Sequence, residues 1–268
     1  MTAPYPEGTV ERWAWDYLTS VDLDHKRAPP PPPRAWAEGA APARVARPGR
    51  PPALRVTRRA PKSPGPEAMR APERRAALVH TFLHHELQAA ELMCWAILAF
   101  ADAPEAFRAG LLGVARDEIR HLAMYEAHLA ALGHRVGDFP VRDWFWERIP
   151  TAASPVDFVA ALGMGLEGAN LDHTARFAER FRAIGDEAGA VLQERVGAEE
   201  VPHVRFALGW FRRWTGGCDF AVWSRHLPPP LSPLLMRGAP LNRAARLASG
   251  MPPAFVDALE RWSPAPSS

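Results

Sequence analysis

Cysteine is scarce in this sequence: Cys94 and Cys218 are its only two among 268 residues. Two thiols cannot build a disulfide framework or a thiolate metal site. Cys94 lies in an apolar helical run, where a buried free thiol is the ordinary state. Long hydrophobic runs are also missing. No stretch approaches the ~18 consecutive apolar residues of a membrane span. The opening MTAPYPEGTVERWAWDYL lacks the apolar core of a signal peptide. These absences set the expectation of a cytoplasmic protein with no membrane partner.

A large net charge is absent as well, but the charge is unevenly placed. Residues 26–75 hold 13 Lys/Arg against 3 Asp/Glu in a chain of net charge +2, so the remainder carries −8. The same stretch is rich in proline, with five in a row at 29–33 and eight more from Pro42 to Pro72. Each fixes its own φ and lacks a donor, so an extended arm is expected there. Two readings of the arm compete: a basic tail that touches nucleic acid, or a strap over an acidic body that buries Trp36, Leu54, Val56 and Met69. The strap is preferred because those side chains need cover. A short helix over 9–19, capped by Thr9 and sticky along Trp13, Trp15 and Leu18, precedes it.

Apolar residues make up 47% of the chain, ample for a core. Four long helical segments follow the arm. The first begins near Pro72 and runs to about Phe100; the second runs from Pro104 to Gly133. The third opens with Ser154 and Pro155, an N-cap and first-turn proline, and ends at Gly185. The fourth runs from Asp186 to about Thr215. Short turns make each successive pair an antiparallel hairpin. The segment 133–153 between the pairs reaches about 66 Å if fully extended, enough to return along the length of a bundle. An all-α, ferritin-like four-helix bundle with one long crossover is expected at 71–217. Residues 1–70 form the N-terminal helix and arm, and 218–268 a C-terminal appendage. Its short helices fall near 241–248 and 253–262, with Leu247, Phe255, Val256 and Leu259 packing inward and SPAPSS frayed.

Acidic and imidazole side chains sit where the helical stripes should be apolar. Glu86 shares its stripe with Val79, Phe82, Leu83, Ala90, Met93 and Ile97. Glu91, the rival on that helix, lies on a more mixed face and is assigned an outer or partly exposed place. Glu118 and His121 sit with Leu111, Val114, Leu122, Tyr125 and Leu129. Glu167 sits with Ala160, Met164, Leu171, Thr174 and Ala178. Glu200 and His203 sit with Val196, Val204, Ala207 and Phe211. One such pair is weak evidence, since most i,i+3 pairs are solvated; four helices with the same anomaly point to one site. Glu86 precedes Glu118 by 32 residues and Glu167 precedes Glu200 by 33, which reads as an internal repeat.

Four carboxylates in an apolar interior would each cost several kcal/mol without cations. Two divalent ions held by Glu86, Glu118, His121, Glu167, Glu200 and His203 balance that charge. Carboxylate and imidazole without thiolate suit iron or manganese, with zinc also possible. Asp117 and Glu199, each four residues before a histidine, are placed to orient the rings. His84 joins Glu91 outside the ligand set, and Tyr125 is a core tyrosine or a group near the metals. Gly163, Gly165, Gly168 and Gly197 mean either close helix packing or room beside the ions. Pro202 should kink the fourth helix at the site.

The runs HHELQAAEL, DEIRHLAMYEAHLAALGH, LEGANLD, EEVPHV and PLNRAARLASG resemble an uncharacterised bacterial ferritin-like family, domain of unknown function 455, over roughly residues 45–260. The resemblance implies a ferritin-like bundle with the same six ligands and implies no substrate; Pro202 departs from it. The leading expectation is an oxygen-dependent di-iron oxidase or hydroxylase of a small molecule, fed by an external electron donor. The alternatives are a tRNA-modifying hydroxylase, an iron-storage ferroxidase, and a bundle stapled by structural metal.

Overall fold

The computed structural model describes residues 3–59 and 64–264, so most of the SPAPSS tail lies outside the described residues. The chain is all-α. It divides into two compact units, Met1–Pro150 and Thr151–Ser268. Among the described residues there is no β-strand, only the isolated bridges Thr9–Ala35 and Val56–Val141. No described helix is long and apolar enough to cross a membrane.

In the first unit, α1 (Val10–Thr19) is capped by the Thr9 side chain, which accepts from the Arg12 N–H. A short α2 (Leu23–Arg27) follows, and then the arm leads to the hairpin of α3 (Pro72–Ala99) and α4 (Glu105–Ala131). Gly133 ends this hairpin with φ +82°, as the left-handed stop required. The arm is a strap. Its Ala43 N–H donates to Leu98 O near the end of α3, Arg50 reaches Glu91, and Thr57 N–H donates to Val141 O. The arm therefore runs antiparallel to α3. Leu54 and Met69 are buried as expected, but Val56 is 44% exposed: the bridge to Val141 is made by the backbone of Arg55 and Thr57 on either side of it.

The crossover also lies along α3. Gly137 N–H donates to His80 Nε2, Phe145 N–H to Gln88 Oε1, and Trp146 Nε1 to Glu91 Oε2. As the crossover advances from 137 to 146 its partners advance from 80 to 91, so it returns along the hairpin. Gly137 has φ +99°, and a Cβ there would press on the Ala53 carbonyl where the arm passes. With α4 on one side and the arm and crossover on the other, α3 is buried almost all round.

The second unit holds the other hairpin. Ser154 forms a reciprocal capping box with Asp157 and starts α5 (Pro155–Phe158). The expected long helix then departs from α geometry: Val159–Leu166 is π-helical before α6 (Glu167–Ala183) resumes. A 3.6-residue pattern cannot foretell this, since every residue from Phe158 to Ala169 is buried whatever its phase. The wider turns free backbone groups, and the indole N–H of buried Trp223 donates to Ala160 O at 3.0 Å. Trp223 belongs to α8 (Phe220–Arg225), which the sequence reading did not anticipate. Between them, α7 (Glu187–Thr215) runs continuously through Pro202.

The last helices are α9 (Arg243–Ala248) and α10 (Pro253–Arg261). Phe255, Val256 and Leu259 are buried, but Leu247 is 40% exposed and the neighbouring Arg246 takes the inward place. The reason is an acid: Asp172 on α6 binds Arg246 through both its oxygens.

Candidate metal centre

In the first unit α3 turns Glu86 toward α4, which presents Glu118 and His121 one helical turn apart. His121 Nδ1 lies 3.3 Å from Glu118 Oε2 and 3.4 Å from Glu86 Oε2. Each of the three offers a ligand atom within 4.8 Å of the others, and all are buried. Burial drives the Glu86 carboxyl well above the usual carboxylate range, against the pull of His121. Burial also opposes charge on the His121 ring, but hydrogen bonds and charges from Glu118 and Glu86 outweigh it and push the ring up to about 12. Protons thus occupy donors that a cation would claim, and metal uptake would release them. The donor set fits a metal ion.

The second unit repeats the motif. His203 Nδ1 lies 3.1 Å from Glu200 Oε2, with both residues buried. Glu167, 5% exposed, stands at the first α-helical position after the π segment, where its N–H donates to Leu162 O five residues back. Within this unit alone, among the described residues, Glu167, Glu200 and His203 do not close into a three-ligand group of the same size.

The hairpin registers explain the repeat. In the second unit Asn170 Nδ2 donates to Glu200 Oε1 at 3.0 Å. A Cβ on Gly197 would run into Thr174, and one on Gly163 into Ala207. These three contacts place Glu167 level with His203 and Asn170 level with Glu200. In the first unit the Glu86–His121 contact and the Phe82–Tyr125 ring pair at 5.7 Å set the matching register, with Ala89 level with Glu118. Each hairpin therefore sets a glutamate opposite a histidine, and one turn on sets a small residue opposite the second glutamate.

The glycines are packing devices. Gly163 accommodates Ala207, Gly165 the Met236 sulfur, Gly168 the Arg246 guanidinium and Gly197 the Thr174 hydroxyl. Neighbouring side chains take the space each glycine leaves, so the alternative of room beside the ions is not needed to explain these positions.

Around the ligands, Asp117 accepts from Arg120 and Glu199 from Arg195 on their own helices. Tyr125 is buried beside Phe82. Glu91 is not partly exposed, as its mixed face suggested, but fully buried. Lys26 Nζ reaches it at 2.8 Å, Arg50 Nη1 at 2.5 and 2.7 Å, and Trp146 Nε1 at 3.0 Å. Burial raises the Glu91 pKa, but Arg50 and Lys26 outweigh it and hold the carboxylate below its usual range. Arg50 also binds Asp143, which lies 2.9 Å from His84 Nε2. Lys26, Arg50 and Asp143 carry no helical pattern of their own, so reading α3 in isolation could not find them. Asn170 had a visible signal, a polar residue one turn after Glu167 on the same face.

A family model described as "Protein of unknown function (DUF455)" matches residues 10–257. The chain belongs to that family. The DUF455 match takes in α1, the arm, both hairpins and the C-terminal helices, and so begins well before residue 45, where the motifs alone suggested a start. An uncharacterised protein of Haemophilus influenzae (strain ATCC 51907 / DSM 11121 / KW20 / Rd) is 29% identical over 160 residues, covering 57% of this chain and 56% of that protein. The matched stretch is thus little more than half of the relative's length. No solved structure matches. The PLNRAARLASG stretch of this DUF455 chain now has a structural reason. Asn242 N–H and Gly238 N–H donate to Asp172, Arg246 pairs with it, and the Ser249 hydroxyl closes the turn onto Arg246 O.

Proposed function

We propose that the protein is a dinuclear, di-iron carboxylate protein of the ferritin-like kind, each hairpin supplying one metal half-site, and that it acts as an oxygen-dependent oxidase or hydroxylase of a small molecule. The observation that carries this reading is the buried Glu86–Glu118–His121 set, whose donors match an ion in type and whose motif recurs at Glu200 and His203. Glu86, Glu118 and His121 would hold one ion, and Glu167, Glu200 and His203 the other. When bound, two irons supply the redox capacity to activate dioxygen, which protein side chains lack. The chain's own part is to keep six donors at fixed positions on rigid helices and to exclude water from them. With only two cysteines, electrons would arrive from a separate protein.

Anaerobic reconstitution with ferrous iron tests this. Uptake near two ions per chain, oxygen consumption on exposure to air and a near-ultraviolet band of an oxo-bridged ferric pair are expected. Uptake well below two ions would sink the reading, and a large shell by size-exclusion chromatography would favour storage instead.

A second reading is motivated by the arm. Lys26 is buried and Arg50 half-buried against Glu91, yet Arg34, Arg47, Arg55, Arg58 and Arg59 are exposed. Exposed arginines favour phosphate contact, so a tRNA substrate is the runner-up. A gel shift with tRNA that weakens with salt would support it, and absence of any shift at low salt would remove it.

A further inference from the structure

The two half-sites differ at the position opposite the second glutamate. Level with Glu118 in the first hairpin stands Ala89, whose methyl group cannot donate a hydrogen bond. Level with Glu200 in the second stands Asn170. A carboxylate offers only acceptors, so Asn170 must turn its NH2 group toward Glu200, and it does so at 3.0 Å to Oε1. The other carboxylate oxygen, Oε2, faces His203 Nδ1 at 3.1 Å. Glu200 is thereby held from two sides, one oxygen by α6 and the other by its own helix.

The fold is arranged to bring that amide into reach. Gly197, one turn before Glu200, lets α7 close onto Thr174, and the Thr174 hydroxyl donates to Asn170 O at 2.8 Å. A side chain at 197 would push the helices apart one turn from the Asn170–Glu200 hydrogen bond.

We infer that Asn170 is a positioning residue that fixes the orientation of Glu200 and makes the two half-sites inequivalent as metal sites. The inference rests on the dinuclear reading above. A donated hydrogen bond draws electron density from Oε1, disfavours rotation of the carboxylate and leaves Oε2 as the oxygen best placed for an ion. Position 89 offers Glu118 no matching amide, so the two second glutamates are oriented by different partners.

The test is a titration of the full-length protein with Mn(II) alone, followed by the resonance of free Mn(II). Wild type is expected to take two ions per chain. Asn170→Ala, which makes position 170 a copy of position 89, should bind one ion as before and the other about 10- to 100-fold more weakly. The weakened ion should be the one that His203→Ala loses and His121→Ala keeps. Asn170→Ser, which retains a donor, should recover part of the affinity, a recovery that a packing role would not give. Thermal unfolding of the metal-free variants checks that the fold is intact, and Asn170→Leu supplies a second donor-free side chain if the alanine variant proves unstable. Wild-type affinity for each of the two ions in both donor-free variants overturns the inference and leaves the dinuclear centre standing. No uptake by wild type overturns the dinuclear centre and the role of Asn170 with it.

Discussion

Arg246 grips Asp172 with two bonds, Nε to Oδ1 at 3.1 Å and Nη2 to Oδ2 at 2.7 Å, and neither side chain has any solvent exposure. The pair ties α9 to α6, and Met236 O accepts from the same guanidinium. Removing one partner of a buried pair strands the other charge, at a cost of about 3–5 kcal/mol. Arg246→Ala should therefore lower the unfolding free energy by that amount in a denaturant titration. A loss near zero would mean that Asp172 is satisfied by Gly238 and Asn242 alone.

Glu91 stands to the first unit as Asp172 does to the second. It neutralises Lys26 from the N-terminal helices and Arg50 from the arm, and neither can reach water readily. Glu91→Gln keeps the shape and removes the charge, and should cost about 3–5 kcal/mol. Glu126 pairs with Arg27 at a partly exposed site, so Glu126→Gln should cost no more than about 1 kcal/mol. Equal losses at the two sites would contradict the assignment of Glu91 as the strap's anchor.

His80 supplies a pH dependence. Its ring is fully buried, its Nε2 accepts from Gly137 N–H at 2.8 Å, and burial pulls its pKa down to about 4. The neutral ring is the one the fold requires. Between about pH 6.5, the ordinary histidine value, and pH 4 the unfolded chain binds the proton that the folded chain refuses. The contribution of His80 is therefore complete above that window and lost as pH falls through it, by about 3 kcal/mol in all. His80→Gln retains an acceptor for Gly137, so its stability should fall less steeply than wild type over this range. Parallel curves would show that His80 does not titrate on unfolding.

Glycine-to-alanine changes separate packing from propensity. Alanine at exposed Gly113 meets nothing within 4 Å and should gain up to about 1 kcal/mol. At Gly163 the same gain is opposed by collision with the Ala207 Cβ, which is fixed to its backbone and cannot rotate away. Overpacking of this kind costs about 1–3 kcal/mol, so Gly163→Ala should be destabilised on balance in thermal melts. A stabilised variant would mean that α7 can shift away from the π segment.

Caps and stops made the hairpins legible. Pro72, Ser154 with Asp157, Gly133, Gly185 and Gly216 begin or end helices within a residue or two of their expected places, because capping depends on groups close along the chain. The burial of Glu86, Glu118, His121, Glu167, Glu200 and His203 was legible for a related reason, since each interrupts an apolar stripe. Partial exposure of Glu91, one of the two places considered for it, was ruled out because its face is covered by the arm and the crossover, which no periodicity within α3 registers. Leu247 was misjudged for the same reason: Asp172, some seventy residues away, claims its neighbour.

The sequence by itself determined the four long helices, the hairpin pairing and which charged residues lie on inward stripes, because these follow from backbone propensity and a fixed rise per residue. Tertiary structure alone decided the π stretch before Glu167, the partners of Glu91 and the amide of Asn170 opposite Glu200. Each of these depends on the register between segments, and that register is set by side chains filling space, such as Ala207 against Gly163. A residue's neighbours across a hairpin carry no signal in its own stretch of chain.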